Sequence, residues 1–212
     1  MDIGPGSIKP HVVVDYPAIR DEIQDGDILL FRGKSWRSRL ICWITGSPYS
    51  HAAILAWWNG RLMVLEAVPT GVVTSRMSLV VSKYSGKVEL WTTDEHLSRF
   101  EVIRTAQLLL GKRYSKFKLF RNLKQLVFGR GRDGPIDPEA APEDFVCSEF
   151  VSRVWRAGGV DLVKDAPDVY TKPCDIAKSP SVRKVGDLVQ ARPGTRPGDT
   201  ARRPPARSAR AR

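Results

Sequence analysis

Apolar residues recur along this chain with two spacings, one typical of strands and one typical of helices. The clearest local signal is a pair of apolar runs, residues 52–58 and 61–67, joined by Asn59 and Gly60. A two-residue Asn-Gly loop is the favoured connection of a tight β-hairpin. The sequence therefore predicts two antiparallel strands in which Trp58 lies opposite Arg61.

Other apolar segments predict the remaining elements of the chain. Further strands are expected at residues 28–31, 71–75, 88–92 and 182–189. Helices are expected at residues 17–23, 35–45, 94–111, 114–128, 145–157 and 175–179, the second of them ending at Gly46. Residues 1–16 and the Gly-, Pro- and charge-rich stretch 129–142 are expected to be irregular, and the second of these is long enough to be functional.

Composition and charge fit an ordinary globular protein once the C-terminal tail is set apart. The chain has 212 residues, 42% of them hydrophobic and 27% charged, and a net charge of +11. Residues 192–212 contain seven arginines and one aspartate, a net +6, which leaves only +5 for the rest of the chain. The length suffices for one domain with a real core. Most of the basic character therefore belongs to a tail that we expect to be disordered.

Several protein classes are disfavoured by the sequence. The N-terminal residues lack an apolar stretch after a basic start, so we expect no secretory signal. Residues 40–60 carry no charge, but turn and polar residues at 46–51 interrupt them, which disfavours a membrane span. The three cysteines, Cys42, Cys147 and Cys174, are widely spaced and fit neither a disulfide framework nor a zinc site. We therefore expect a reducing, cytoplasmic location and no metal.

The hairpin register brings a histidine and a glutamate to one face of the sheet. Glu66 is predicted to lie opposite Ala53, and His51 opposite Val68, which makes His51 and Glu66 diagonal neighbours. Glu66 can then accept a hydrogen bond from one imidazole nitrogen and leave the other nitrogen as a base. By themselves, the two residues also fit a structural histidine and a solvent-facing glutamate.

Cys147 is placed where a thiol can become reactive. Pro142, Glu143 and Asp144 are typical of a first helical turn, so Cys147 is predicted to lie near the start of a helix. The helix dipole and free N–H groups there stabilise a thiolate, and the N–H of Cys147 can serve an oxyanion. A small buried residue is the alternative reading. Cys42 lies inside an apolar helix, and Cys174 has no obvious base nearby.

These features occur within a longer resemblance. The segments GDILLFRG (26–33), RLICWITGSPYSHAAI (39–54), LEAVPTGVV (65–73), GKRYSKFK (111–118) and FVCSEFVSRVW (145–155) resemble the circularly permuted branch of the NlpC-type papain-like cysteine hydrolases. This YiiX/YaeF-like group is distantly related to lecithin retinol acyltransferase. In ordinary papain-like enzymes the cysteine precedes the histidine. Here His51 comes first, as the permuted branch requires.

The resemblance implies a fold, a division of the chain and a set of roles. The implied fold is α+β and papain-like, a curved antiparallel sheet packed against helices. Residues 1–24 would form an N-terminal arm, 25–190 the catalytic domain and 191–212 the disordered tail. Cys147 matches the nucleophile, His51 the base, Glu66 the third polar residue and Tyr114 a tyrosine near the site. The implied chemistry is cysteine-dependent hydrolysis of a peptide or lipid acyl bond without a cofactor.

Several alternatives remain open at the level of sequence. The acyl group can pass to water or to another acceptor, which separates a hydrolase from an acyltransferase. The domain can also be a non-catalytic lipid- or peptide-binding module. Residues 116–132 are basic and interleaved with apolar side chains, which fits either an anionic membrane surface or an ordinary amphipathic helix. The chain has no recognised nucleic-acid motif, so we expect no such partner, and the oligomeric state is open.

Overall fold

A curved seven-stranded sheet forms the centre of the structure. The computed structural model describes residues 12–114, 144–164 and 167–190. The strand order is β1-β9-β6-β2-β3-β4-β5, and every neighbouring pair is antiparallel except β1 and β9, which are parallel. The seven strands are Val13–Asp15 (β1), Ile28–Gly33 (β2), His51–Trp58 (β3), Arg61–Val68 (β4), Gly71–Arg76 (β5), Gly86–Thr92 (β6) and Arg183–Val189 (β9).

Short helices and a small second sheet surround the central one. The second sheet is a parallel pair, Arg113–Tyr114 (β7) and Asp144–Phe145 (β8). Two 3₁₀ turns lie at Arg20–Glu22 and Asp168–Tyr170. The α-helices are Tyr16–Ile19 (α1), Trp36–Thr45 (α2), Met77–Lys83 (α3), Arg99–Leu108 (α4), Cys147–Ala157 (α5) and Pro173–Lys178 (α6).

The sheet buries apolar side chains on both faces because successive residues of a strand point to opposite sides. Ile28 and Leu30 of β2 belong to one buried cluster, which also contains Phe150 and Trp155 of α5. Leu29 and Phe31 belong to a second buried cluster, which contains Met77 of α3. The central strands are therefore enclosed from both sides, which explains why residues 28–31 of β2 are all apolar.

The predicted hairpin is confirmed with its register. Trp58 pairs with Arg61, and the ladder continues to Ile54 opposite Leu65. Asn59 and Gly60 both have positive φ angles, of 50° and 71°. Two positive φ angles are the requirement of the type I′ turn that an Asn-Gly sequence favours. Turn chemistry thus sets which residues of β3 and β4 share a face.

Most predicted elements are present, and the differences have local reasons. The prediction of irregular structure up to residue 16 is wrong at β1, because these residues pair with the distant β9. Helix α4 begins at Arg99 rather than 94, and α5 begins at Cys147 because Asp144–Phe145 pair as β8. Helix α3 was not predicted. The predicted helix at 114–128 is wrong at Tyr114, which lies in β7.

Three other predictions fall outside the described residues. These are the remainder of the helix expected at 114–128, the loop expected at 129–142 and the tail 191–212. Within the described part of the chain, none of the helices has the length and apolar character that crossing a bilayer requires.

Candidate active site

His51 and Glu66 are joined directly by a hydrogen bond. His51 is the first residue of β3 and pairs with Phe31 of β2, while Glu66 lies near the end of β4. The distance from His51 Nε2 to Glu66 Oε2 is 2.7 Å. The register set by the Asn-Gly turn extends to Ile54 opposite Leu65, and the side chains of His51 and Glu66, just beyond that pair, meet as the sequence predicted.

Cys147 occupies the first position of α5. The residue before it, Val146, is extended, with φ −101° and ψ 158°, and its N–H donates to the Glu149 carboxylate at 3.4 Å. Phe150 and Val151 are fully buried against the sheet, where α5 packs on β3 and β4. The apolar side of α5 therefore fixes the helix start, and with it the thiol, beside the first residues of β3.

The thiol of Cys147 and the imidazole of His51 form a hydrogen-bonded pair. Since Glu66 takes Nε2 of His51, the other ring nitrogen, Nδ1, is left for the thiol. Glu66, His51 and Cys147 therefore form a series in which the carboxylate orients the imidazole and the imidazole faces the sulfur. A series of this kind matches the roles of orienting acid, base and nucleophile.

The electrostatics of the pair favour its charged form. Burial alone would raise the pKa of Cys147, but the charge and hydrogen bond of His51, together with two backbone hydrogen bonds, lower this pKa below its ordinary value. Burial alone would also lower the pKa of His51. The Cys147 thiolate, followed by Glu66, raises the pKa of His51 to about 10. Both shifts favour the form in which the proton lies on the imidazole of His51 rather than on the sulfur of Cys147.

Two backbone N–H groups also stabilise the thiolate, and sequence reasoning missed both. The N–H groups of Ala52 and Ser148 donate to the Cys147 sulfur and lower the pKa of the thiol. Backbone pairing of β3 with β4 begins at Ile54, two residues beyond Ala52. Every residue except proline carries an N–H, so no side-chain pattern signals these donors. Only the docking of α5 on β3 brings them to the sulfur.

The other predicted residues have different outcomes. Cys147 is partly exposed, as a nucleophile that meets a substrate must be. Cys42 and Cys174 are free thiols, and burial is the first cause of a raised pKa in each. The backbone of Tyr114 lies in β7, but its side chain is outside the described part of the structure, so its role stays a prediction.

The comparisons with known proteins find the fold but no named family. No protein-family model matches the sequence, and no curated protein matches it. Among solved structures, the metalloprotein YiiX from Escherichia coli O157:H7 is similar, with a TM-score of 0.59 and 21% sequence identity. The match covers 78% of this chain and 98% of the YiiX chain. The fold is YiiX-like. It is an α+β fold, as expected, with helices on a curved and mainly antiparallel sheet.

The description of YiiX as a metalloprotein raises the question of whether this chain can hold a metal ion. Among residues 12–114, 144–164 and 167–190, no group of three His, Cys, Asp or Glu side chains is arranged as metal ligands would be. Glu66, His51 and Cys147 follow one another in series, whereas ligands must surround one point. The described residues therefore do not fit a metal, and no step below uses one.

Proposed function

We propose that this chain is a cysteine-dependent hydrolase of the amidase, peptidase or thioesterase kind that acts on a peptide or lipid acyl bond. One observation carries the proposal. The partly exposed thiol of Cys147, at the start of a helix, is hydrogen-bonded to the imidazole of His51, and the other nitrogen of this imidazole is hydrogen-bonded to the partly buried carboxylate of Glu66. Buried structural cysteines lack such a partner, and lowered thiol pKa values mark reactive ones.

The proposed reaction has two halves. The Cys147 thiolate attacks the acyl carbonyl, and collapse of the tetrahedral adduct breaks the bond to the leaving amine, alcohol or thiol. His51 donates its proton to that leaving group, which leaves a thioester on Cys147. Water then attacks the thioester while His51 removes its proton. The products are the free acid and the starting thiolate–imidazolium pair, so protons and charges balance.

The oxyanion of the adduct also needs donors. The N–H of Cys147 belongs to the first helical residue, where N–H groups have no partner within the helix. The N–H groups of Ala52 and Ser148 already point at the sulfur. As the sulfur becomes bonded to carbon and loses its charge, donors at this position become available to the neighbouring oxyanion.

We further propose that the chain belongs to the permuted NlpC-type papain-like group. The order of the polar residues supports this assignment, since His51 and Glu66 precede Cys147 in the chain. The YiiX-like fold supports it as well. A helix that carries the nucleophile and a sheet that carries the base keep the same mutual position whichever of them comes first in the chain.

Trapping of the acyl-enzyme tests the proposed function. The full chain is mixed with p-nitrophenyl acetate, and the protein is analysed by intact-mass and peptide mass spectrometry. We expect one acetyl group on Cys147, removed by neutral hydroxylamine as a thioester is, and steady release of nitrophenolate. Acetylation spread over lysines or over all three cysteines, without turnover, would show that Cys147 is not a nucleophile.

A further inference from the structure

Helix α2 exposes three large apolar side chains along one face. Trp36, Leu40 and Trp43 are spaced by four and three residues, so they form one stripe along the helix. Their exposed fractions are 71%, 45% and 79%. Trp36 and Trp43 are among the most exposed large apolar residues in the described part of the chain.

The opposite face of α2 packs on the protein through small side chains, with Ile41 at its edge. Ser38, Cys42 and Thr45 lie on this side of the helix and are only partly exposed. A Cβ at Gly33 would overlap the Ser38 hydroxyl, which shows how closely this face approaches the end of β2. Ser38 also hydrogen-bonds to Tyr84, whose ring packs on Phe31.

The exposed stripe departs from the usual arrangement of a surface helix. A helix on the surface of a globular protein turns its apolar stripe toward the core and its polar side toward water. Exposed apolar stripes of this kind mark surfaces that bind something else. The stripe is not exposed through fraying of the helix, because both ends of α2 are capped. Ser35 caps the start, and Gly46, in the left-handed conformation, closes the end.

The charge around α2 indicates the kind of surface that would cover it. Between Gly33 and Gly46 the chain has three basic residues, Lys34, Arg37 and Arg39, and no acidic residue. Lys34 and Arg39 are exposed. Long basic side chains beside an apolar stripe extend toward anionic lipid headgroups, and tryptophan favours the boundary between headgroups and acyl chains.

The size of the stripe also favours a membrane over a protein partner. Three large side chains expose a few hundred Å², since a tryptophan contributes roughly 150–250 Å². A stable protein interface needs about 800 Å² on each partner. A short interfacial helix needs less, because electrostatic attraction to anionic lipid adds to the burial of its apolar face.

We propose that α2 is a membrane-docking helix that inserts Trp36, Leu40 and Trp43 into the interface of an anionic lipid bilayer. The docked face lies close to the candidate site along the chain, because α2 ends at Gly46 and His51 begins β3 five positions later. Docking does not depend on the thiol chemistry. The two proposals can therefore fail separately.

Vesicle flotation with the full chain tests the docking. The vesicles are made of phosphatidylcholine alone or of phosphatidylcholine mixed with phosphatidylserine. We expect the wild-type chain to float with the mixed vesicles and high salt to weaken the binding. The double variant Trp36→Ser/Trp43→Ser should bind at least about tenfold more weakly, and Arg39→Gln about fivefold more weakly to the mixed vesicles only.

Matched variants separate docking from other effects. Trp58→Ser removes a partly exposed tryptophan at the far end of β3 and should float like the wild type. Cys147→Ala should also float, whatever its effect on catalysis, and circular dichroism checks that each variant is folded. Wild-type chain that does not float with mixed vesicles, or a double variant that floats unchanged, overturns the proposal. So does a wild-type dimer that the double variant converts to monomer, because α2 would then be a contact between two copies.

Discussion

Two cysteines of this chain lie at helix starts, yet only one of them has the environment of a nucleophile. Cys147 is the first residue of α5, and Cys174 follows Pro173 at the start of α6. The pKa of Cys147 is lowered, whereas burial first, and then Asp175, raises the pKa of Cys174. The sulfur of Cys174 lies 3.6 Å from a carboxylate oxygen of Asp175.

The difference shows that a helix start does not by itself lower the pKa of a thiol. The partial charge of a helix end is worth about 1 kcal/mol, and burial can offset it. What separates the two residues is the charged partner of each sulfur: the His51 imidazolium at Cys147 and the Asp175 carboxylate at Cys174. A hydrogen bond from Ser47 to the Cys174 thiol lowers its pKa but does not offset burial and Asp175. The cation opposite the sulfur, supplied by β3 and held by Glu66, is therefore the decisive element.

Removal of each sulfur in turn gives the largest expected contrast. Cys147→Ser should lower the turnover of p-nitrophenyl acetate by about 10⁴-fold or more, because the hydroxyl is a far weaker nucleophile beside the same base. Cys174→Ser should leave turnover within about twofold, since the groups that interact with its thiol lie outside the Glu66–His51–Cys147 series. Steady-state release of nitrophenolate measures both. Comparable losses in the two variants would remove the distinction drawn between the two helix starts.

Removal of the imidazole that faces Cys147 should bring the alkylation rate of Cys147 close to that of Cys174. In His51→Ala, Cys147 keeps its burial but loses the charge that offsets it, so the pKa of the thiol rises. At pH 6 the alkylation of Cys147 by iodoacetamide should then slow by on the order of a hundredfold. Peptide mass spectrometry follows each cysteine separately.

The pH dependence of alkylation tests the direction in which His51 shifts the pKa of Cys147. In the wild type the lowered pKa of Cys147 favours the thiolate, so its alkylation rate should fall less between pH 8 and pH 6 than that of an ordinary thiol. In His51→Ala the rate should instead fall steeply with pH, as we also expect for Cys174, whose pKa is raised. His96→Ala, which removes an exposed histidine, is the control and should match the wild type. A flat profile in His51→Ala would show that backbone N–H groups alone hold the thiolate.

The half of the site that lies on the sheet could be predicted from sequence. The Asn-Gly turn fixes the register, and the two-residue period of strands then puts His51 and Glu66 on one face. These are local consequences of turn chemistry. The contact between the two side chains, a hydrogen bond of 2.7 Å in the structure, could therefore be predicted without the rest of the fold.

The other half depends on packing between distant segments, which spacing along the chain does not specify. Sequence placed Cys147 near a helix start, but only the burial of Phe150 and Val151 against the sheet aims that start at His51. Likewise, β1 was missed because its partner, β9, is far away in the chain. The apolar residues of α2 occur at mixed helical spacing, so the sequence does not tell which of them meet the protein.

Loss of the orienting carboxylate should have a smaller effect than loss of the imidazole. In Glu66→Gln the thiol–imidazole pair remains, but the amide no longer stabilises the imidazolium and can favour the wrong tautomer. Turnover of p-nitrophenyl acetate should fall by about a hundredfold, and the alkylation of Cys147 at pH 6 by about tenfold or less. Glu101→Gln, which removes a glutamate paired with Arg104 on α4, should change neither. An unchanged turnover in Glu66→Gln would show that the Glu66 carboxylate does not assist the reaction.

The smallest expected effect concerns the alkylation of Cys174, at the start of α6. In Asp175→Asn the negative charge beside Cys174 is lost, while the side-chain oxygen can still accept from the Lys172 N–H, a hydrogen bond of 3.0 Å in the structure. The pKa of Cys174 should fall slightly, and its alkylation at pH 8 should accelerate by no more than about threefold, because burial, the larger cause of the raised pKa, persists. The alkylation of Cys147 in the same sample is the internal reference and should not change. An acceleration of Cys174 to the rate of Cys147 would mean that relief from a carboxylate, without any imidazole, is enough to activate a thiol at a helix start.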